Sequence, residues 1–374
     1  MSKDCSEKKK TLNEPYGNVN LEMFKEFTEA DGISGCEKEA SRVMKKWLDG
    51  YVDEIMYDNL GSIIGVKKGS GSGLRLMLAG HIDEVGFVIK QIDDNGFIKV
   101  NPIGGWWPHV LPAQPITVTT HDGKKYHGIF GAAAPHGMPP EARKQVMELK
   151  DMFIDMGVDN REQLEALGIR VGDMISPRSS FEVMNNPNYM VAKAWDDRVG
   201  ALIAVDVIRQ LKGVKHDFDI YAAGTVQEEV GLRGAKTAAY MIKPDLAIAL
   251  DVTIASDYPG GEDRIKCGAG VTVELLDASH LGHRGLIDYI ENICKDKGID
   301  FQLEQLTAGG TDSGEINKSF EGIINVTISI PSRYCHSHHT IIHRKDYADT
   351  VDVIVELCKR LNKVELEKIR SYNR

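Results

Sequence analysis

The sequence predicts an α/β protein whose mixed central sheet is flanked by helices and interrupted by an inserted small β-rich domain. Three observations predict this fold class. From Tyr189 onward, strand-like apolar runs alternate with segments of helical periodicity. Between residues 87 and 186, short β-rich runs such as 97–100, 116–118 and 171–173 are separated by Gly and Pro, as in small all-β units. The length of 374 residues also exceeds the ~100–200 residues that one core usually organises.

The predicted elements follow one another from a polar tail at residues 1–20. Apolar residues at helical spacing predict one or two helices over 21–51, and β-rich runs predict strands at 62–66 and 74–79. In the last part of the chain, the predicted helices are 201–211, 285–297 and 347–361, and the predicted strands are 218–226, 246–250 and 323–330. The main domain is therefore expected to comprise 21–86 and 187–374, with the insert at 87–186 between them.

The composition excludes several classes of protein. Hydrophobic residues make up 42% and charged residues 27%, which is ordinary for a globular chain. The net charge of -10 disfavours nucleic acid and anionic membranes as partners, because both attract basic surfaces. The first fifteen residues lack an apolar stretch of ~7–15 residues, so neither a secretory signal nor a membrane anchor is predicted. The six scattered cysteines form no CxxC pair, and we expect a protein of the reducing cytoplasm.

Polar clusters occur where four of the predicted strands stop. Open α/β sheets place their ligand crevice at this position. A fifth cluster, Asp196 and Asp197, precedes a helical segment, so its carboxylates are expected near a helix N-terminus. The four clusters at strand ends are His81 with Asp83, Glu228 with Glu229, Asp251, and His336.

Imidazoles and carboxylates together are the ligands of hydrolytic zinc, cobalt or manganese sites. Two such ions, ~3.5–4 Å apart, can share one carboxylate. Asp196, Glu229 and Asp251 supply three negative charges. Together with two neutral imidazoles and one hydroxide, these charges balance two divalent cations. The clusters therefore predict a pair of divalent ions.

The adjacent acids Glu228 and Glu229 restrict the backbone conformation at this position. Successive side chains of a strand point to opposite faces, so both acids can serve one site only from a turn beyond the strand end. Gly231 and Gly234 favour such a turn. One acid could then bind metal while the other transfers a proton. Taken singly, each cluster is more typical of a turn, a helix cap or a solvated surface, but five of them favour a site.

The motifs that carry these clusters resemble one known family. In order, they are GHIDEVGF, AWDDRVGA, GTVQEEVGLRGA, ALDVT, GGTDSG and RYCHS. They resemble the tetrahedral dinuclear-metal aminopeptidases, which include glutamyl, leucyl, lysyl and deblocking enzymes and are sometimes named cellulase M. The resemblance covers nearly the whole chain after the polar tail and implies a zinc-aminopeptidase-like catalytic domain.

The resemblance also implies a role for each candidate residue. Asp196 would bridge two metal ions, which are zinc, cobalt or manganese in this family. His81 and Asp251 would complete the ligands of one ion, and Glu229 and His336 would complete the ligands of the other. Glu228 matches the general base, and Asp83 matches the acid that orients the His81 ring. The insert matches a dimerisation domain, and members assemble from dimers into dodecamers that act on peptides.

Two alternative functions remain open, and one further expectation concerns His338 and His339. A glycosidase of the endoglucanase type is the rival enzyme, although it would need two carboxyls on opposite sides of a sugar. A non-catalytic peptide-binding relative is the rival from another class, although no ligand or base is missing from the motifs. His338 and His339 are expected at the surface or facing substrate rather than on a metal.

Overall fold

The protein, described by a computed structural model over residues 14–374, combines a large mixed sheet with a small closed barrel. Residues 1–13 of the predicted polar tail lie outside the described residues. The helices of the described chain are α1 (Leu21–Glu29), α2 (Lys38–Leu48), α3 (Arg161–Ala166), α4 (Trp195–Gln210), α5 (Arg233–Ile242), α6 (Arg284–Lys297), α7 (Ser313–Ile316), α8 (Arg344–Arg360) and α9 (Lys363–Ser371).

The strands divide between the sheet and the barrel. The strands of the large sheet are β1 (Glu54–Tyr57), β2 (Ile63–Lys67), β3 (Arg75–His81), β10 (Glu182–Val183), β11 (Tyr189–Ala192), β12 (Asp219–Thr225), β13 (Leu246–Ile254), β14 (Val271–Leu276), β15 (Phe301–Gln305), β16 (Ile324–Arg333) and β17 (Thr340–His343). The strands of the barrel are β4 (Gly86–Ile92), β5 (Ile98–Ile103), β6 (Pro115–Thr119), β7 (Lys125–Gly131), β8 (Phe153–Asp155) and β9 (Met174–Pro177).

The large sheet has four parallel strands at its centre, in the order β12-β3-β13-β16. Antiparallel strands extend it on both sides to give β1-β2-β12-β3-β13-β16-β17-β11-β10, and β14 and β15 join beside β16. The last residues of two central strands, His81 and Thr225, are directly paired. The polar residues that follow these strands therefore meet at one edge of the sheet.

Helices cover both faces of the central strands, and the side chains of β3 show why. Leu76 and Leu78 belong to the core that contains α4 and α8. Met77 and Ala79 pack against α5 on the opposite face. Since successive strand residues point to opposite faces, a strand buried on both faces needs a continuous apolar run. The sequence of β3 has this property.

Gly80 determines how closely β3 approaches α4. A Cβ atom at Gly80 would lie 2.4 Å from the backbone nitrogen of Ala201, which is closer than real side chains come. Only glycine therefore allows this approach. The contact brings the N-terminus of α4, with Asp196 and Asp197, beside His81 at the end of β3.

The barrel closes in the order β4-β5-β8-β7-β6-β9 and spans residues 86–177. It has a core of its own, which includes Phe87, Ile116 and Phe130. After the barrel, β10 and β11 return to the large sheet. The predicted fold class, a mixed sheet with a β-rich insert, is confirmed, and the domain boundaries at 87 and 186 stay a prediction.

Two local predictions were wrong. Strand β13 does not end at residue 250 but continues to Ile254, because it pairs with β16 through Asp251 and beyond. Asp251 therefore lies within a strand. The segment 171–173, predicted as β-rich, forms a turn before β9. Among residues 14–374, no helix combines the length and the apolar character that crossing a membrane requires.

Candidate active site

A cavity of about 590 Å³ opens at the carboxyl ends of the central strands. Six of the seven predicted site residues line it, and Asp83 lies fully buried beneath them. The structure therefore brings all seven predicted residues together. The six that line the cavity are His81, Asp196, Glu228, Glu229, Asp251 and His336.

Asp196 lies between two imidazoles. Its Oδ1 atom is 3.1 Å from Nε2 of His81, and its Oδ2 atom is 3.1 Å from Nε2 of His336. The first turn of α4 permits this position, because Asp196 and Asp197 have non-helical backbone angles. Each oxygen of the carboxylate therefore faces a different histidine.

Both histidines present the same nitrogen to Asp196. Nδ1 of His336 donates to the carbonyl oxygen of Gly105 at 2.7 Å, and Nδ1 of His81 donates to the carbonyl oxygen of Asp83 at 3.1 Å. A carbonyl can only accept, so Nδ1 of each ring carries a proton. The other nitrogen, Nε2, faces an Asp196 oxygen, and with a cation between the two its lone pair would be directed at that cation. Such an arrangement of acceptors is suited to a cation between them.

Glu228 and Glu229 lie on a turn that follows β12. The backbone carbonyl of Glu228 accepts from the N–H groups of Gly231 and Leu232, which closes the turn. Oε2 of Glu228 is 3.8 Å from Nε2 of His81, whereas Oε1 of Glu229 is 3.6 Å from Nε2 of His336. The two acids therefore face different histidines.

Asp83 holds this turn as well as the His81 ring. Its Oδ1 atom accepts the N–H of Glu228 at 3.1 Å, and its Oδ2 atom accepts the N–H of Glu229 at 3.2 Å. The hydroxyl of Ser34 donates to Oδ2 at 2.6 Å. Oδ1 is also 3.4 Å from Nδ1 of His81. The sequence predicted only the contact with His81.

Sequence reasoning did not predict the roles of three supporting residues. Asp197 accepts the backbone N–H of His81 at 3.0 Å, and its neighbour Asp196 in the motif was the available signal. The carbonyl of Gly105 orients His336, although the two residues are 231 positions apart in the chain. No feature of the sequence indicates this contact. Cys335 lines the cavity, with Sγ 2.8 Å from Oδ2 of Asp196.

The environment of His338 also differs from the prediction. His338 is only 1% exposed, and its ring lies 5.9 Å from that of Trp106. The expectation of a surface or substrate-facing side chain is therefore wrong for this residue. Burial and the neighbouring His339 lower the pKa of His338 to about 4, so its ring is neutral.

The acids of the site are crowded enough to change their pKa values. Burial, reinforced by neighbouring carboxylates, raises the pKa of Glu228 and of Asp251 well above the ordinary range. Burial and the charge of Asp196 raise the pKa of Glu229 to about 8. Burial also raises the pKa of Asp196, but the neighbouring His336 and His81 have a larger opposite effect, so the pKa of Asp196 is lowered. The cluster thus holds more potential negative charge than its own residues neutralise.

The donor atoms fit a metal centre. Three groups of side chains in the described residues have ligand atoms within 4.8 Å of one another. Oε1 of Glu229 is buried and has no hydrogen-bond partner, although buried polar atoms are nearly always paired. Imidazole, carboxylate and thiol donors at these spacings match borderline divalent cations. The three groups are Asp196 with Cys335 and His336, His81 with Asp196 and Glu229, and His81 with Glu228 and Asp251.

A crevice at the ends of parallel strands, lined by imidazoles and carboxylates, defines the class of candidate metallohydrolases. The family model for M42 glutamyl aminopeptidase matches residues 61–353, and a second model, AMPT, matches residues 18–44. The chain belongs to the M42 glutamyl aminopeptidase family. It is therefore an aminopeptidase, which hydrolyses peptide bonds, and the predicted family and activity are confirmed.

Similar proteins agree with this assignment. Glutamyl aminopeptidase of Lactococcus lactis is 31% identical over 94% of this chain and 100% of its own length. Lysyl aminopeptidase of Pyrococcus furiosus is 31% identical over 93% of this chain and 99% of its own. A TET aminopeptidase structure from a marine sediment archaeon of the Thaumarchaeota is 40% identical, with a TM-score of 0.90, and covers 93% of this chain and 99% of its own.

Two further structures concern assembly and the rival activity. TET1 peptidase of Pyrococcus horikoshii, which can assemble into a tetrahedron or a large octahedral shell, is 30% identical with a TM-score of 0.82, over 91% of this chain and 99% of its own. A Thermotoga maritima structure named endoglucanase is 28% identical with a TM-score of 0.75, over 92% of this chain and 98% of its own. This neighbour shares the fold, while the family assignment supports the peptidase prediction.

Proposed function

We propose that the aminopeptidase site holds two divalent ions, zinc, cobalt or manganese, and removes N-terminal residues with apolar side chains from peptides. Asp196 would hold both ions. His81 and Asp251 would supply the other protein ligands of one ion, and Glu229 and His336 those of the other. The observation that supports this proposal best is the Asp196 carboxylate, whose two oxygens each lie 3.1 Å from a different imidazole.

The residues of the site have different roles in the reaction. When bound, a pair of divalent ions polarises the scissile carbonyl and lowers the pKa of water. Glu228 is the general base and takes a proton from the attacking water, which it then passes to the leaving amine. Its buried carboxyl, with a pKa raised by burial, suits both roles. Asp83 holds Glu228 in place through the turn, and it fixes the His81 ring.

The lining of the cavity supports the preference for apolar N-terminal residues. Beyond the acid cluster, the cavity wall includes Leu232, Val252, Ile254 and Leu306. Among the described residues that line it, none is Lys or Arg. A glutamyl side chain would therefore find no cation, and a charged lysyl group would lose hydration against apolar walls. An apolar side chain instead gains about 1.5–3 kcal/mol from burial.

The division between the two glutamates is tested by a pair of matched variants. Glu228→Gln should retain both metal ions and lose at least about 100-fold in kcat, because a general base contributes ~10²–10⁴-fold. Glu229→Gln should lose one of the two ions. Metal content by mass spectrometry and hydrolysis of a leucyl anilide measure both effects. Full activity of Glu228→Gln would contradict the proposal, and so would its loss of metal.

The substrate preference is tested with leucyl, glutamyl and lysyl anilides. The leucyl compound should be hydrolysed with a kcat/KM at least about tenfold higher than the others, since ~1.4 kcal/mol corresponds to tenfold. Leu306→Arg supplies a cation to the wall and should raise kcat/KM for the glutamyl anilide alone. Equal rates for the three compounds would overturn the preference, even if the metal chemistry stands.

Assembly and location complete the proposed function. We propose that the barrel joins subunits into dimers and that dimers form a dodecamer in the cytoplasm. The exposed Trp107 and Val171 of the insert, 62% and 60% exposed, support an interface there. Light scattering should give about 500 kDa, twelve times 41.4 kDa. A mass of one subunit at every concentration would exclude the dodecamer, and cell fractionation tests the location.

A further inference from the structure

Cys335 occupies a position in the cavity that the proposed chemistry leaves without a role. It follows the end of β16, and its side chain lines the cavity. Its Sγ atom is 2.8 Å from Oδ2 of Asp196. The same oxygen is 3.1 Å from Nε2 of His336, whereas Oδ1 faces His81. The sulfur therefore lies on the His336 side of the bridging carboxylate.

A second observation points to a ligand at the same place. Oε1 of Glu229 is buried without a hydrogen-bond partner, and it lies 3.6 Å from Nε2 of His336. The Glu229 side chain is only 6% exposed. Its free oxygen therefore faces the His336 nitrogen that lies 3.1 Å from Oδ2 of Asp196, the oxygen that Cys335 contacts. One thiol, one imidazole and two carboxylates thus line this side of the cavity.

The spacing of these donors is compatible with one ion. Ligand bonds of ~2.0–2.3 Å in tetrahedral geometry place donor atoms roughly 3.3–3.8 Å apart. The separations are 2.8 Å from Sγ to Oδ2, 3.1 Å from Oδ2 to Nε2, and 3.6 Å from Nε2 to Oε1. The ligand atoms of Asp196, Cys335 and His336 all lie within 4.8 Å of one another. These three residues therefore have the spacing of ligands to one ion.

We propose that Cys335 is a protein ligand of the ion at His336, so that the two metal sites differ in their chemistry. The inference rests on the proposed two-metal function and adds a sulfur donor to one ion. The His81 site then has only nitrogen and oxygen donors. Thiolate ligands select zinc and cobalt over manganese. The His336 site is therefore selective for a soft ion, and the His81 site also accepts a harder one.

Binding changes the sulfur in a way that can be measured. The thiol releases its proton to solvent as the sulfur–metal bond forms, which leaves a thiolate on the ion. The alternative is that the S–H group only donates a hydrogen bond to Asp196. If the thiol is only hydrogen-bonded, the absorption spectrum of the bound ion contains no band from sulfur. If the thiolate binds the ion, the spectrum contains an additional charge-transfer band.

The test uses the full-length protein loaded with cobalt(II). The wild-type protein should show a thiolate-to-cobalt absorption band in the near ultraviolet, together with visible bands of cobalt at both sites. Cys335→Ser should lose the near-ultraviolet band and keep visible bands. Cys36→Ser, which removes an exposed thiol, is the matched control and should keep both.

Each outcome separates this inference from the proposed function. Two bound cobalt ions without a near-ultraviolet band would overturn the role of Cys335 and leave the two-metal proposal intact. A band that persists in Cys335→Ser would have the same meaning. Failure to bind cobalt at all would overturn both.

Metal competition provides a second measurement that is independent of activity. Loss of an outer partner of a metal ligand typically costs 10–100-fold in affinity, and loss of a ligand should cost at least about tenfold. Cys335→Ser should therefore bind one of its two zinc ions at least about tenfold more weakly. The affinities for manganese should stay unchanged. Equal weakening for zinc and manganese would contradict a sulfur ligand.

Discussion

The carboxylate of Asp83 accepts the backbone N–H of Glu228 at 3.1 Å, across 145 positions of the chain. Its other oxygen accepts the N–H of Glu229. A carboxylate that accepts from two successive amides fixes the direction of both peptide groups. The end of β3 therefore determines where the two acids after β12 point.

Replacement of Asp83 by Asn should disrupt this turn, because an amide offers one acceptor oxygen and turns an NH₂ group toward a backbone N–H. We expect kcat/KM and metal affinity to fall by about 10–100-fold, as for other partners of metal-binding residues. Asp94→Asn, at a side chain 96% exposed, is the control and should change neither quantity. Wild-type activity in Asp83→Asn would show that the turn does not depend on this carboxylate.

Lys193 should be essential for stability. This side chain is 2% exposed and lies 2.6 Å from Oδ1 of Asp31 and 2.8 Å from Oε1 of Glu84. Lys193→Met removes the cation that these two buried carboxylates share and leaves Asp31 with Lys125 at 2.8 Å and Glu84 with Arg198 at 3.7 Å. The cost should be up to about 3–5 kcal/mol in the free energy of unfolding. Lys46→Met removes a lysine that is 57% exposed and should cost less than about 1 kcal/mol. Urea unfolding distinguishes the two, and equal losses would refute the argument.

The stability should depend on pH through His343. Its Nδ1 atom accepts the N–H of Lys345 at 3.1 Å and so caps α8. Burial and the charges of Lys345 and Arg333 lower the pKa of His343 to about 4, below the ~6.5 of an unfolded chain. The unfolded state thus gains its proton first, and stability is lost as pH falls from about 6.5 to about 4.

An asparagine at this position isolates the effect, because it can cap the helix without titrating. Between pH 7 and pH 5, the free energy of unfolding should fall further for the wild-type protein than for His343→Asn. Urea unfolding at the two pH values measures the difference. Parallel decreases in the two proteins would mean that His343 does not control this dependence.

Gly80→Ala should damage the site through packing. The added Cβ would lie 2.4 Å from the nitrogen of Ala201, and such overpacking typically costs about 1–3 kcal/mol. Since His81 follows directly, kcat should also decrease. Gly137→Ala adds a Cβ with no atom within 4 Å and should leave both stability and kcat unchanged. Thermal unfolding and anilide hydrolysis would measure these effects.

The fold class and the location of the site were predictable because they depend on local patterns. A buried strand such as β3 needs a continuous apolar run, and polar residues directly after it mark the crevice edge. The end of β13 was not predictable, since Asp is a poor strand former and only pairing with β16 extends the strand through Asp251. Tertiary packing also decided the burial of His338, which lies beside Trp106.

The contacts that orient the site were beyond sequence reasoning for a related reason. The bonds from Asp83 to Glu228 and from His336 to Gly105 join residues 145 and 231 positions apart. No local property of either partner indicates the other. Such contacts follow from the packing of the whole chain.

The bond from Nδ1 of His336 to the carbonyl of Gly105 links the histidine to the insert, because Gly105 follows β5 of the barrel. The orientation of this imidazole therefore depends on a segment of the barrel as well as on the strand that precedes it in the large sheet. Where the barrel places Gly105 determines the direction in which the His336 ring faces the cavity.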